Sequence, residues 1–184
     1  LDILSQVSPL APQAVLQGVH RLVAADLLWS SDGVVYQFRH ALIRDTAYQS
    51  QTHSGRKTAH LKIAHVLQTT GGRFVSGQPE LIAQHLAAGE EFEQAAIFWL
   101  RAGNQACQRA AGSEAILHYK AGLAQVDRVA DSPAKLQLAF DLLNGLGLAA
   151  IAVEGYASGE AAAAHARALA LSERHAGNPD VFRV

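Results

Sequence analysis

The feature that most constrains this chain is a pattern of small and aromatic residues laid out twice at helical spacing. Trp99, Ala102, Gly103 and Ala106 are followed by Ala115, Tyr119 and Gly122. Leu143, Leu146, Gly147 and Ala150 are followed in the same way by Ala161, His165 and Ala168. Steps of three and four place each set on one face of an α-helix. Small residues on that face let two antiparallel helices approach closely, and the larger side chains fill the groove between helix pairs. Gly103 and Gly147 stand 44 residues apart, and Ala115 and Ala161 stand 46 apart. Ala95, Trp99 and Ala102 give a weaker, earlier echo. A helix pair that cannot bury its apolar face alone stacks on the next, so the second half of the chain is expected to be a run of stacked helices. The concave surface of such a stack is a usual site for partners. The alternative is that the helices only space other domains apart.

The first half reads differently. Leu1, Ile3, Leu4 and Val7 form a helix end that Ser8-Pro9 breaks. Pro12 suits the first turn of a second helix, expected over residues 11–28, with Val15, Leu16, Val19, Leu22, Val23 and Leu27 as its apolar stripe. Ser30-Ser31-Asp32-Gly33 is a turn signal between Leu27-Leu28-Trp29 and an alternating strand over Val34, Tyr36 and Phe38. Helix, helix, hairpin is the order of a winged helix. A winged helix suggests DNA, but the helix that would read it carries Arg21 as its one Lys or Arg, beside His20 and opposed by Asp26. Nucleic-acid affinity rests on several phosphate-neutralising cations, so no nucleic-acid partner is expected.

The period changes from two to 3.6 at Arg39-His40, where a helix over residues 39–51 is expected to begin. A charged pair at a strand-to-helix junction is either a ligand-reading site or an ordinary helix start. A second helix follows His53-Ser54-Gly55. Between Thr46 and Pro79 there is no acidic residue, while Arg56, Lys57, Lys62 and Arg73 are basic. A solvated face with snorkelling stems accounts for these charges; a surface facing an acidic or phosphate-bearing domain is the other reading. After a loop from Gly71 to Pro79, helices are expected over 80–88, 91–111, 114–129 with Ser113 as N-cap, 134–153 and 160–175, with Asn178-Pro179 opening another. The fold class is therefore mainly α. A partial winged helix with a short hairpin and linking helix spans 1–52, a helical connector 53–89, and the helical repeats 90–184.

Composition narrows the chemistry. Hydrophobic residues are 49% and charged residues 17% of the 184, with a formal net charge of −1, as expected for a folded, helix-rich chain. No run of about 18 uninterrupted apolar residues occurs, so no membrane partner is expected. The single cysteine, Cys107, permits no disulfide framework and suits a reducing cytoplasm. It lies among Ala106 and Ala110 and reads as a buried structural thiol. Nine histidines do not make a metal site: His60 and His65 are five apart, off a shared helix face, and His53, His85 and His118 stand alone. No G-x-S-x-G elbow and no G-x-x-x-x-G-K-[ST] phosphate loop is present. The absence of Met at Leu1 and the helical pattern running up to Val184 lead us to expect a fragment of a longer protein.

Together these residues carry two resemblances. The small-aromatic pattern resembles the tetratricopeptide repeat, although its period is longer than the usual ~34 and His165 stands at an aromatic position. The strand followed by Phe38-Arg39-His40-Ala41-Leu42-Ile43-Arg44-Asp45 and Tyr48 resembles the end of the winged-helix domain in bacterial signal-transduction ATPases with numerous domains. The type it resembles is fused to class III adenylate/guanylate cyclases. Pro79 to His85, Ala95 to Gly103 and Ser113 to Ile116 look like the same group. The resemblance implies that His40 is a nucleotide sensor, reaching the diphosphate of ADP held by an adjacent ATPase domain of the parent, with Arg39 and Arg44 adding positive potential. ATP, ADP and magnesium would belong to the parent; the fragment itself would carry no cofactor, metal or catalytic residue. Its repeats would meet an unknown protein or small-molecule inducer and control the parent, including a nucleotide cyclase. The same region of an ATP-dependent transcription regulator, or a helical scaffold with no nucleotide role, are the alternatives.

Overall fold

The computed structural model describes residues 2–70 and 78–175, with side chains over 3–69 and 78–173. The expected loop after Gly71 and the helix start at Asn178-Pro179 lie outside the described residues. The chain divides into two units, Leu1–Arg73 and Phe74–Val184, and the fold is mainly helical in both.

In the first unit, α1 (Asp2–Val7) and α2 (Pro12–Ala24) precede a two-stranded antiparallel hairpin, β1 (Leu28–Trp29) and β2 (Gln37–Phe38). Helices α3 (Ala41–Gln49) and α4 (His53–Thr70) follow. Pro12 sits in the first turn of α2, and Val15 and Val19, four apart, are its buried residues. Leu28 pairs with Phe38 and Trp29 with Gln37. The expected strand over Val34–Phe38 is shorter than its alternation suggested. Asp32 Oδ1 accepts from the amides of Val34 at 2.9 Å and Val35 at 3.0 Å, so those two donors serve the turn, not the ladder. These backbone hydrogen bonds also hold the Asp32 carboxyl below its usual pKa. Helix α4 starts at His53 because Thr52 Oγ1 accepts from the Gly55 amide at 3.1 Å.

In the second unit, α5 (Pro79–Ala88), α6 (Phe92–Gln108), α7 (Gly112–Val126), α8 (Pro133–Glu154) and α9 (Gly159–His175) run as an array. Each packs on the next, and α6 also meets α8. That is the packing of a helical repeat. Its most deeply buried large side chains are Tyr119, Leu142 and Leu143. Helix α8 is long and apolar enough by composition to cross a membrane. Here it is the core helix: Leu138, Leu142, Leu143 and Leu146 are buried, and α7 and α9 pack against it. Ser132 caps it by accepting from the Lys135 amide at 3.1 Å, with Pro133 in the first turn.

Two helix ends fall short of the sequence expectation, and one device closes both of them and α5 as well. Helix α2 stops at Ala24 instead of running to Leu28, and α6 stops at Gln108 instead of Ala111. Asp26, Glu90 and Ala110 each take a left-handed backbone, with φ of 58°, 62° and 59°. After each, the chain closes a paired bond set. At the end of α6, the Ala110 amide donates to Cys107 O and the Ala111 amide to Ala106 O, both at 2.9 Å. This is the Schellman termination, whose left-handed position usually holds glycine. Gly89 comes one residue too early to fill it, at φ −84°. The turn after α6 runs directly into α7, so Ala111 takes the N-cap position and Gly112 begins the helix. Ser113 is inside the first turn and does not cap it.

A non-glycine residue in the left-handed region costs roughly 1–2 kcal/mol, part of which glycine returns through its freer unfolded state. Ala110→Gly is expected to raise stability by roughly 0.5–1 kcal/mol, read as a higher urea midpoint with an unchanged slope.

Candidate functional site

The repeat pattern builds a groove between α6 and α8. Tyr119, from α7, is 2% exposed and its ring lies between two glycines. A Cβ on Gly103 of α6 would overlap Tyr119 Cε1, and one on Gly145 of α8 would fall 2.5 Å from Tyr119 Cζ. The phenol donates to Asn104 Oδ1 at 2.7 Å and lies 3.6 Å from Cys107 Sγ. Burial first, then the hydrogen bond with Cys107, raises the phenol pKa. Above this floor opens a groove of about 970 Å³, within the ordinary range for binding clefts. Leu100, Asn104 and Cys107 line one side and Asp141, Leu148 and Ala152 the other. Leu148 is 66% exposed, although it lies on the core helix.

The thiol of Cys107 is exposed, against the sequence reading of a buried one. Ala106 is fully buried, and the next residue lies about 100° further round the helix, which turns Cys107 to the groove. His118 does not stand alone. It stacks on Trp99 with ring centroids 5.4 Å apart and lies 3.3 Å from Glu114 Oε1, which also takes Arg109 at 3.0 Å. The i, i+4 spacing of Glu114 and His118 carried that signal in the sequence. Among the described residues no group of three or more His, Cys, Asp or Glu is gathered to hold a metal.

The residues of the strand-to-helix junction sit in the first unit. His40 is the N-cap residue of α3, extended at φ −133° and ψ 135°, with no capping hydrogen bond from its side chain, and it is exposed. The helix therefore begins at Ala41 and not at Arg39. Arg39 pairs with Asp26 Oδ1 at 2.8 Å, and its amide donates to Leu27 O at 3.1 Å. That ties the end of α2 to the strand before α3. Arg44 pairs with its neighbour Asp45 at 2.8 Å. Both arginines are thus matched with local carboxylates. Further along α3, Tyr48 Oη lies 3.0 Å from His60 Nε2, and the Arg56 guanidinium lies 5.1 Å from the Tyr48 ring centroid. Desolvation, then the Arg56 charge, lowers the His60 pKa.

Asp141, Gly145 and Leu148 went unread in the sequence. Gly147, two residues from Gly145, was placed by the repeat: a Cβ on it would fall 2.7 Å from His165 Nε2, the counterpart of Gly103 against Tyr119. Gly145 meets Tyr119 only through the register of α8 on α7, which no local spacing encodes. No family model, no curated protein and no solved structure matches this chain.

A methyl at Gly145 forces Tyr119 out of its slot. Gly145→Ala is expected to cost roughly 1–3 kcal/mol in urea unfolding and to speed thiol-reagent attack on Cys107.

Proposed function

We propose that this chain is a helical scaffold that holds a partner in the groove between α6 and α8. The observation that carries the reading is a cleft floored by a buried, hydrogen-bonded tyrosine and walled by apolar side chains left exposed on core helices. A repeat needs Tyr119 for its own packing. It does not need Leu148 at the surface. Pull-down from the native host, with wild-type chain against Leu148→Glu, tests this. The charge is expected to abolish retention of a partner that wild type holds reproducibly, with the helical circular-dichroism signal unchanged. Equal retention by both variants contradicts the reading.

A second reading follows the resemblance to multidomain signalling ATPases. There the chain is a regulatory region, and His40 senses ADP held by a neighbouring ATPase domain. One observation favours it: the His40 imidazole is exposed at the start of α3 and no hydrogen bond or ion pair occupies it among the described residues. An imidazole donating to a phosphate oxygen gains from the acceptor's charge. Arg39 and Arg44 contribute less than their charges suggest, since Asp26 and Asp45 neutralise them. In the parent protein, His40→Ala is expected to weaken ADP retention without unfolding the chain, measured as nucleotide released from purified protein. Unchanged ADP content argues for the scaffold alone.

A further inference from the structure

The groove has a polarity of its own. Asp141 is the one charged residue among the described residues that line it. Gln137 Nε2 donates to Asp141 Oδ1 at 2.9 Å, and Oδ2 has no partner among the described residues. Glu93 is exposed on the same face of α6, seven residues before Leu100. Both carboxylates stand in the N-terminal half of their helices. The far half is uncharged, with Gln108 beside Ala110, Ala149, Ala152 and Val153. Nearby cations are engaged elsewhere: Arg101 lies 4.7 Å from the Phe98 ring centroid and Arg109 pairs with Glu114. An apolar occupant with an acidic side chain would set like charges together, and a wholly apolar one would cover Asp141 without a counter-charge.

We propose that the groove takes an apolar segment of a protein partner whose lysine or arginine is set against Asp141. Apolar side chains of the segment lie on Leu100, Leu148 and Ala152. Its cation reaches Oδ2 at the end of the groove. The Asn104 side-chain amide, whose oxygen already accepts from Tyr119, supplies N–H donors for a backbone carbonyl of the segment. This rests on the reading of the groove as a partner site, and the test separates the two.

The probe is a displayed library of random dodecapeptides panned against the 184-residue chain, with Cys107 as reporter because it lines the groove and is the single cysteine. Enriched peptides are expected to share a Lys or Arg among apolar residues and to slow the reaction of Cys107 with Ellman's reagent. Asp141→Asn is expected to weaken their binding roughly fivefold, the effect of one partly exposed ion pair, while Glu173→Gln on α9 leaves it unchanged. Peptides that protect Cys107 but lack a cation, or bind Asp141→Asn as tightly, overturn the charge assignment and leave the groove reading intact. Failure of any enriched peptide to protect Cys107, or protection by self-association of the chain alone, overturns both.

Discussion

The second unit depends on the fit of one tyrosine ring between two glycines. Tyr119 joins three helices at once: it stands on α7, contacts Gly103 on α6 and reaches Gly145 on α8. Close packing leaves no slack at such a point, since an added methyl on either glycine meets the ring. The ring thereby sets how near α6 approaches α8 and how wide the groove between them stands. Its hydroxyl is satisfied by Asn104, so the floor of the groove carries a polar atom without the cost of an unpaired one. The same device recurs at Gly147 and His165, where the ring is smaller and exposed.

The first unit is held differently. Its buried apolar residues are few: Val15, Val19 and Leu28 around α2 and β1, and Ala64, Val66 and Leu67 on α4. Leu10, Val34, Val35 and Leu42 stay largely exposed. Local polar contacts add to this: the Asp32 turn, the Arg39–Asp26 pair and the Tyr48–Arg56–His60 cluster between α3 and α4. Exposed pairs of this kind contribute little each, so this unit is ordered mainly by its hairpin and its helix contacts.

Helix periodicity and the small-aromatic pattern were legible because both are short-range facts of the sequence. They place α5 to α9 and single out Gly103, Tyr119, Gly147 and His165. The ends of α2 and α6 were less legible because the left-handed position was filled by Asp26 and Ala110 instead of glycine. The exposure of Cys107 was missed because neighbouring alanines suggest burial, whereas one residue along a helix turns the side chain off the buried face. Asp141 and Leu148 could not be read as groove residues, since that role comes from the packing of α8 on α6, 40 residues away. The junction at Arg39-His40 was legible as a helix start, but which carboxylate takes each arginine depended on the fold.

The central claim is that the groove over Tyr119 is occupied when the protein works. Cys107 reports on it directly, because its thiol is exposed and lines the groove. The decisive measurement is the alkylation rate of Cys107, read by mass spectrometry of its peptide, in intact host cells and in the purified chain. A much slower rate in cells, restored on purification, is the result this account predicts. Equal rates in both would mean the groove stands empty in the cell, and would contradict it.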